Sequence, residues 1–465
     1  MLRLPGADVD YLCQHAALDL ESLSAVYTHM QDIHHLLNRI AFGPRPGETD
    51  RVQQVGPDKY LEEQLHPDHI EDHATEERLA EIASIRMNPP ELMRKYPQPQ
   101  QLAKKLGVNA ADPNGRQRIL EMQQEKGMKP PQELLQELQA QKIVRGVYSQ
   151  RQLQEVMTDF WFNHFNIYWN KNADRWLTTP YEMHTIRPHV LGKFKDLLMA
   201  TAKSPAMLFY LDNHLSSAVK GINENYGREL MELHTLGVDG GYTQRDVQEV
   251  ARAFTGWSIN RPQLSGEFMF RPRIHDPRPK VVLGHRITAG GERDGEEVID
   301  ILAKHPSTAR FISTKLVRRF VADDPPPNLV KHVSDVFQKT DGDIRELMLA
   351  IVTSKEFNSP DTVGAKTKTP FEYVTSAIRS LNGQTDGSRQ ISQAIARMGQ
   401  PLYQCQPPAG YPDRGDQWMS SGAVLERLNF AVALTASKFP GTSVQFDEPV
   451  KTVVARLGSP EFQKR

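Results

Sequence analysis

Apolar residues fall at helical spacing along most of the chain, and Pro, Gly or capping residues separate the runs. The first run, DIHHLLNRIAF, ends at residue 42 before GPRPG. A shorter one, DKYLEEQL, stops at His66-Pro67. Residues 68–150 differ, being rich in Gln, Glu, Lys and Pro with few apolar positions. They read as a solvated insertion of exposed helices broken at Pro89-Pro90, Pro97 and Pro130-Pro131, or alternatively as a coiled-coil-like arm. Apolar density rises sharply at Arg151. RQLQEVMTDFWFNHFNIYWNK predicts a helix with aromatics on several sides, hence a buried one. Asp159, Asn163 and Asn166 share one narrow stripe of it, and a polar stripe on a buried helix must be paired or line a cleft. Further helices follow in IRPHVLGKFKDLLMATAK and, after Ser204-Pro205, in AMLFYLDN.

Beyond Trp257 the period shortens. GEFMFRPRIHDPRPKVVLG predicts two short strands, Phe268 to Phe270 and Lys280 to Leu283, around a turn with His275-Asp276-Pro277 near its tip. Helical runs then resume, among them PSTARFISTKLVRRFV, IRELMLAIVTSKEF, KTPFEYVTSAIRSL and VLERLNFAVALTAS, interrupted by the irregular loop PLYQCQPPAGYPDRGDQW. The expected fold is all-α, with one small β-hairpin near 266–284. Its expected parts are a tail (1–30), the start of a helical core (31–67), the polar insertion (68–150), the main core with the site (151–437) and a C-terminal segment (438–465).

Composition narrows the function. Hydrophobic residues at 39% and charged ones at 24% suit a folded, water-soluble chain. A net charge of −1 gives no global reason for nucleic acid or an anionic membrane as partner. Two cysteines, Cys13 and Cys405, are too few for a disulfide framework or a cysteine zinc site. No apolar run approaches a membrane span. The first residues lack a basic stretch followed by an apolar one, so the expectation is a cytoplasmic chain, with export only if the N-terminus is incomplete.

The densest chemistry lies in NENYGRELMELHTLGVDGGYTQRDVQEVARAFTGW, residues 223–257. On a helix, Glu224, Arg228, Glu232, Asn225 and Glu229 span roughly 140° of one face, opposite Tyr226, Leu230 and Leu233. This is either a surface ladder of i,i+4 pairs or a carboxylate site buffered by an arginine. The buried Asp159/Asn163 stripe needs a polar partner, which favours the second reading. The glycine loop at 237–241 and the Thr243/Asp246 capping box follow it. Glu229-x-x-Glu232-x-His234 is not a di-metal spacing, and the loop from Asp239 is not a calcium loop. No phosphate-binding loop, zinc-protease or serine-hydrolase elbow motif is present. His275-Asp276 is either a metal-hydrolase fragment or a turn cap. Lys315, Arg318, Arg319, Lys366 and Lys368 read as helix-end charge, or as groups that steady an anionic substrate.

These motifs, with LLNRIAFGPRPGE, FWFNHF, SPAMLFYLDN, HDPRPKVVLG, KTPFEYV, the PPAGYP loop and the closing SPEFQ, resemble the bacterial family grouped as domain of unknown function eighteen-hundred. The resemblance runs over nearly the whole chain from residue 31. It implies a helical protein, often exported, often encoded beside an alkaline-phosphatase-like partner, and it carries no assigned activity or catalytic residue. From the residues themselves we expect a hydrolase-type enzyme on a polar substrate such as a glycan. Glu229, Glu232 and His275 are its expected catalytic groups. Asp159, Asn163, His164, Asn225, Arg228 and Asp276 are expected to bind substrate, with no cofactor or metal assigned. The alternatives are a non-catalytic binding or maturation partner with a buried polar network, and a divalent-cation site on Glu224, Glu229, Glu232 and Asp159.

Overall fold

Proline and capping residues set where the helices begin. The computed structural model describes residues 32–465, Ala289 excepted. Prolines that break the sequence pattern mostly open helices, as in Pro89–Lys95, Pro99–Leu106, Pro113–Glu125 and Pro131–Tyr148, since the missing N–H costs nothing in the first turn. Capping boxes at Thr243/Asp246 and Thr369/Glu372 start Gln244–Ala253 and Pro370–Ser380. The expected all-α class is observed: the described residues are mainly helical, with three two-stranded sheets.

One apolar core runs through the molecule, with Trp161, Trp169, Trp176 and Trp257 fully buried in it. Gln152–His164 lies inside this core. Pro131–Tyr148 packs on Pro370–Ser380, Arg389–Arg397 and His73–Leu79. That helix belongs to the core although it falls within the polar 68–150 stretch. Only Pro99–Leu106 and Pro113–Glu125 stand apart, around a small cluster of Leu102, Ala103 and Ile119. Cys13 and the 1–30 tail fall outside the described residues.

The β-structure corrects one expectation. β1 (Trp257–Asn260) pairs with β2 (Glu267–Phe270), and β3 (Lys280–Val282) pairs with β4 (His285–Ile287). The two strands read from the sequence exist but do not pair with each other. Pro272, Pro277 and Pro279 between them supply no ladder donors. Leu283 and Gly284, at φ +50° and +81°, instead turn the chain straight back into β4. The third sheet pairs β5 (Gln384–Thr385) with β6 (Thr442–Ser443).

Residues 463–465 run antiparallel beside 366–368. Lys368 N donates to Gln463 O at 2.9 Å, and Arg465 N to Lys366 O at 2.8 Å. This places the chain's last basic residues against the start of Pro370–Ser380. Among the described residues, no helix is long and apolar enough to cross a membrane.

Candidate functional site

The polar stripe Asp159, Asn163 and Asn166 is half-buried to buried and engaged with partners other than the 223–257 helix. Asp159 pairs with Lys142 at 2.8 Å. The Asn163 amide donates to Tyr411 O at 3.0 Å and accepts from Tyr411 N at 2.7 Å. Asn166 donates to Cys405 O and Pro407 O at 3.0 and 2.9 Å. The stripe therefore fastens the PPAGYP loop, whose irregular backbone has polar groups to satisfy. His164 points elsewhere: its Nε2 donates to the His234 carbonyl at 3.1 Å, and burial holds its ring neutral.

In residues 223–257 the helix Asn225–Glu229 continues as the π-helical turn Leu230–Thr235. Gln244 bridges Glu224 and Arg228, which lie 3.6 Å apart. Asn225 is exposed, while Glu229 and Glu232 are half-buried. Burial, and then Glu232, push the Glu229 carboxyl above its usual range. Tyr242 donates to Glu232 at 3.4 Å.

His275 and Asp276 form a separate, enclosed cluster. His275 Nδ1 donates to Thr255 O at 2.7 Å, and Nε2 lies 3.0 Å from Asp294. Lys280, wholly buried, pairs with the same carboxylate. Asp276 takes Arg278 at 2.6 Å and Arg252 at 2.9 Å. The Arg278 hydrogen bond, first among several, holds its carboxyl far below the usual range. The cluster ties β3 to Gln244–Ala253 and Arg293–Lys304. Thus the stripe, the carboxylate face and the His-Asp pair have three different sets of partners. Among the described residues no three His, Cys, Asp or Glu gather as a metal site, so Glu224, Glu229, Glu232 and Asp159 form no cation cage.

A different pair meets in a cavity. Lys368 immediately precedes the Thr369 cap, with its backbone held by Gln463 and by Arg427, whose Nη2 donates to Lys368 O at 2.7 Å. Its side chain turns inward, 4.1 Å from the Phe462 ring centroid. Nζ has one hydrogen-bond partner among the described residues, Ser376 Oγ at 2.9 Å. Ser376 sits on Pro370–Ser380, and both residues are buried while lining a cavity of about 780 Å³. Burial, opposed by Glu372 and reinforced by Arg427, lowers the Lys368 ammonium to about 7. One turn on, Arg379 donates to Gly43 O at 2.7 Å and draws the GPRP loop over this helix. Gly43 has φ +82°, and a Cβ there would lie 2.8 Å from Ser376 Oγ. Glycine thus fits both the left-handed turn and the room beside the hydroxyl. Asn38 and Arg45 line the same cavity, and the buried Arg45 Nε has no hydrogen-bond partner among the described residues.

Lys368 is visible in the sequence as a basic residue before a helix cap. Ser376 is not singled out there, because no local motif links a lysine to a serine eight residues on. Only the helix start and the returning C-terminal strand bring them together.

A mainly helical chain with a buried serine–lysine pair facing a cavity is the class that fold and site define. The chain belongs to the family described as Protein of unknown function (DUF1800), whose model matches residues 35–465. No curated protein and no solved structure matches it.

Proposed function

We propose that the protein is a hydrolase that cleaves an ester or amide by acyl transfer to Ser376, with Lys368 as general base. The observation that carries this reading is the 2.9 Å Lys368–Ser376 contact inside an accessible cavity. Buried Lys–Ser hydrogen bonds also occur as plain structure. Here, however, the lysine has a single hydrogen-bond partner among the described residues and a lowered ammonium, as a serine's base requires. In its neutral form Nζ takes the hydroxyl proton while Oγ attacks the carbonyl carbon. The ammonium returns that proton to the leaving group, and water repeats the sequence on the acyl-serine. Arg45, Arg456, Lys464 and Arg465 outnumber Asp32 and Glu461 around the cavity, which favours a substrate with an anionic group.

Hydrolysis of a p-nitrophenyl ester series by wild type, Ser376→Ala and Lys368→Met tests this. Each variant is expected to lose roughly 10²–10⁴-fold in kcat/KM. Unchanged rates in folded variants would sink the proposal.

A second reading puts glycan hydrolysis at Glu229 and Glu232, supported by the raised Glu229 carboxyl. Loss of glycosidase turnover in Glu229→Gln, but not in Ser376→Ala, would favour it. The alkaline-phosphatase-like partner implied by the family resemblance stays a proposal, tested by co-purification of the two chains.

A further inference from the structure

A second, smaller cavity lies between Gln152–His164, the PPAGYP loop and the 366–369 segment, and about it buried basic side chains outnumber acidic ones. Arg319, Lys366, Arg465 and, just behind them, Arg39 are all largely buried. Two side-chain carboxylates face these four cations. Glu372 serves both arginines, Arg319 at 2.6 Å and Arg465 at 3.1 Å. Its other oxygen accepts from Thr369 N at 2.8 Å. Asp323 pairs with Lys366 and also accepts from Gly415 N at 2.9 Å. The remaining charges nearby balance: Lys142 with Asp159 at 2.8 Å, and Lys315 with Asp413 at 3.1 Å.

The surplus has dangling donors. Arg319 Nη1, Arg465 Nε, and Nε and Nη1 of Arg39 have no hydrogen-bond partner among the described residues. An uncompensated buried cation is expensive, and an anion beside Arg319, Lys366 and Arg465 lowers that cost. The cavity measures about 60 Å³, room for about four waters at ~15 Å³ each. That suits one small oxyanion. Guanidinium forks are matched to such an anion in geometry as well as charge.

We propose that this cavity binds a small oxyanion, the phosphate or carboxylate group of a ligand, held by Arg319, Lys366 and Arg465. The inference rests on charge and unmet donors, not on chemistry at Ser376. Arg465 lines both cavities, so an anion here sits beside the proposed hydrolytic site.

Calorimetric titration and thermal melts of wild-type protein with inorganic phosphate, sulfate, acetate and sodium chloride, at equal ionic strength, test it. The expected result is one saturable site and a melting shift of several degrees that chloride does not produce. Saturation by phosphate or sulfate alone assigns a tetrahedral ligand, and saturation by acetate alone assigns a carboxylate. Arg465→Lys keeps the charge but loses the fork, and is expected to weaken binding at least tenfold. Arg319→Lys serves if that variant does not fold. Absence of saturable binding by all three anions, or an equal response to chloride, overturns the proposal and leaves the cavity to water. Because no turnover is measured, failure here is separate from failure of the Ser376 reading.

Discussion

Lys368 departs far from ordinary behaviour for a reason visible around it: one hydroxyl, one aromatic ring and the Arg427 guanidinium lie about a largely buried amine. The sign of the resulting pH dependence follows. The folded lysine releases its proton near 7, the unfolded one near its ordinary 10.5. Catalysis needs the free amine, so kcat/KM should rise with pH through about 7 and then level off. Across the same window the unfolded chain holds a proton that the folded chain lacks. Stability therefore rises with pH there, by at most ~1.4 kcal/mol per unit. Lys368→Met should abolish that slope in urea unfolding followed across the window, and a slope unchanged by the substitution would refute the assignment. At this scale the burial pattern and chemistry of the sequence single out Asp159 and Asn163, whereas Lys368 is only one of several basic residues there. Their partners escape it, because Ser376, Lys142 and Tyr411 join them only through the fold.

Helix starts are the most legible elements, since caps are local. Thr369 with Glu372 and Thr243 with Asp246 each close a box within four residues of chain. Burial of Pro131–Tyr148 is not legible, because that helix carries Gln139, Gln141, Lys142 and Arg145 into the interior. These form pairs that composition cannot reveal: Gln141 with Glu182 at 2.5 Å, Arg145 with Glu76 at 3.2 Å, and Lys142 with Asp159. The clamp between Gln152–His164 and the PPAGYP loop belongs to this scale too. Gly410 approaches so closely that a Cβ there would meet Asn163 O at 2.3 Å. Asn163→Ala leaves the Tyr411 N–H and C=O without the amide, so we expect about 1–3 kcal/mol of destabilisation in denaturant melts. Faster proteolytic cleavage within 403–413 should accompany it. An unchanged midpoint and cleavage rate would mean that the clamp does not hold the loop.

Across the whole molecule, burial keeps three histidines, His35, His164 and His234, neutral. Burial above all lowers His35 to about 4 and His234 to about 3, and takes His164 well below its ordinary value. Arg39 adds to this at His35, and Lys315 at the other two. The unfolded chain takes up protons below about 6.5 that the folded chain refuses, so stability falls with pH from there toward 4. Three such groups together approach ~4 kcal/mol per pH unit. Urea midpoints should drop steeply between pH 6.5 and 5, and a flat profile would contradict the burial of these rings. The helical class was legible across the chain because the 3.6-residue period survives nearly everywhere. The site was not, because its walls come from residues near 40, 370 and 460. The carboxylate face drew notice instead, since its groups are neighbours in sequence. The proposed hydrolysis turns on whether the Ser376 hydroxyl is a nucleophile. Labelling the folded protein with a fluorophosphonate, followed by peptide mass spectrometry, decides that directly. One adduct on Ser376, lost in Lys368→Met, is the expected result; an unlabelled protein, or an adduct on another serine, would contradict the account.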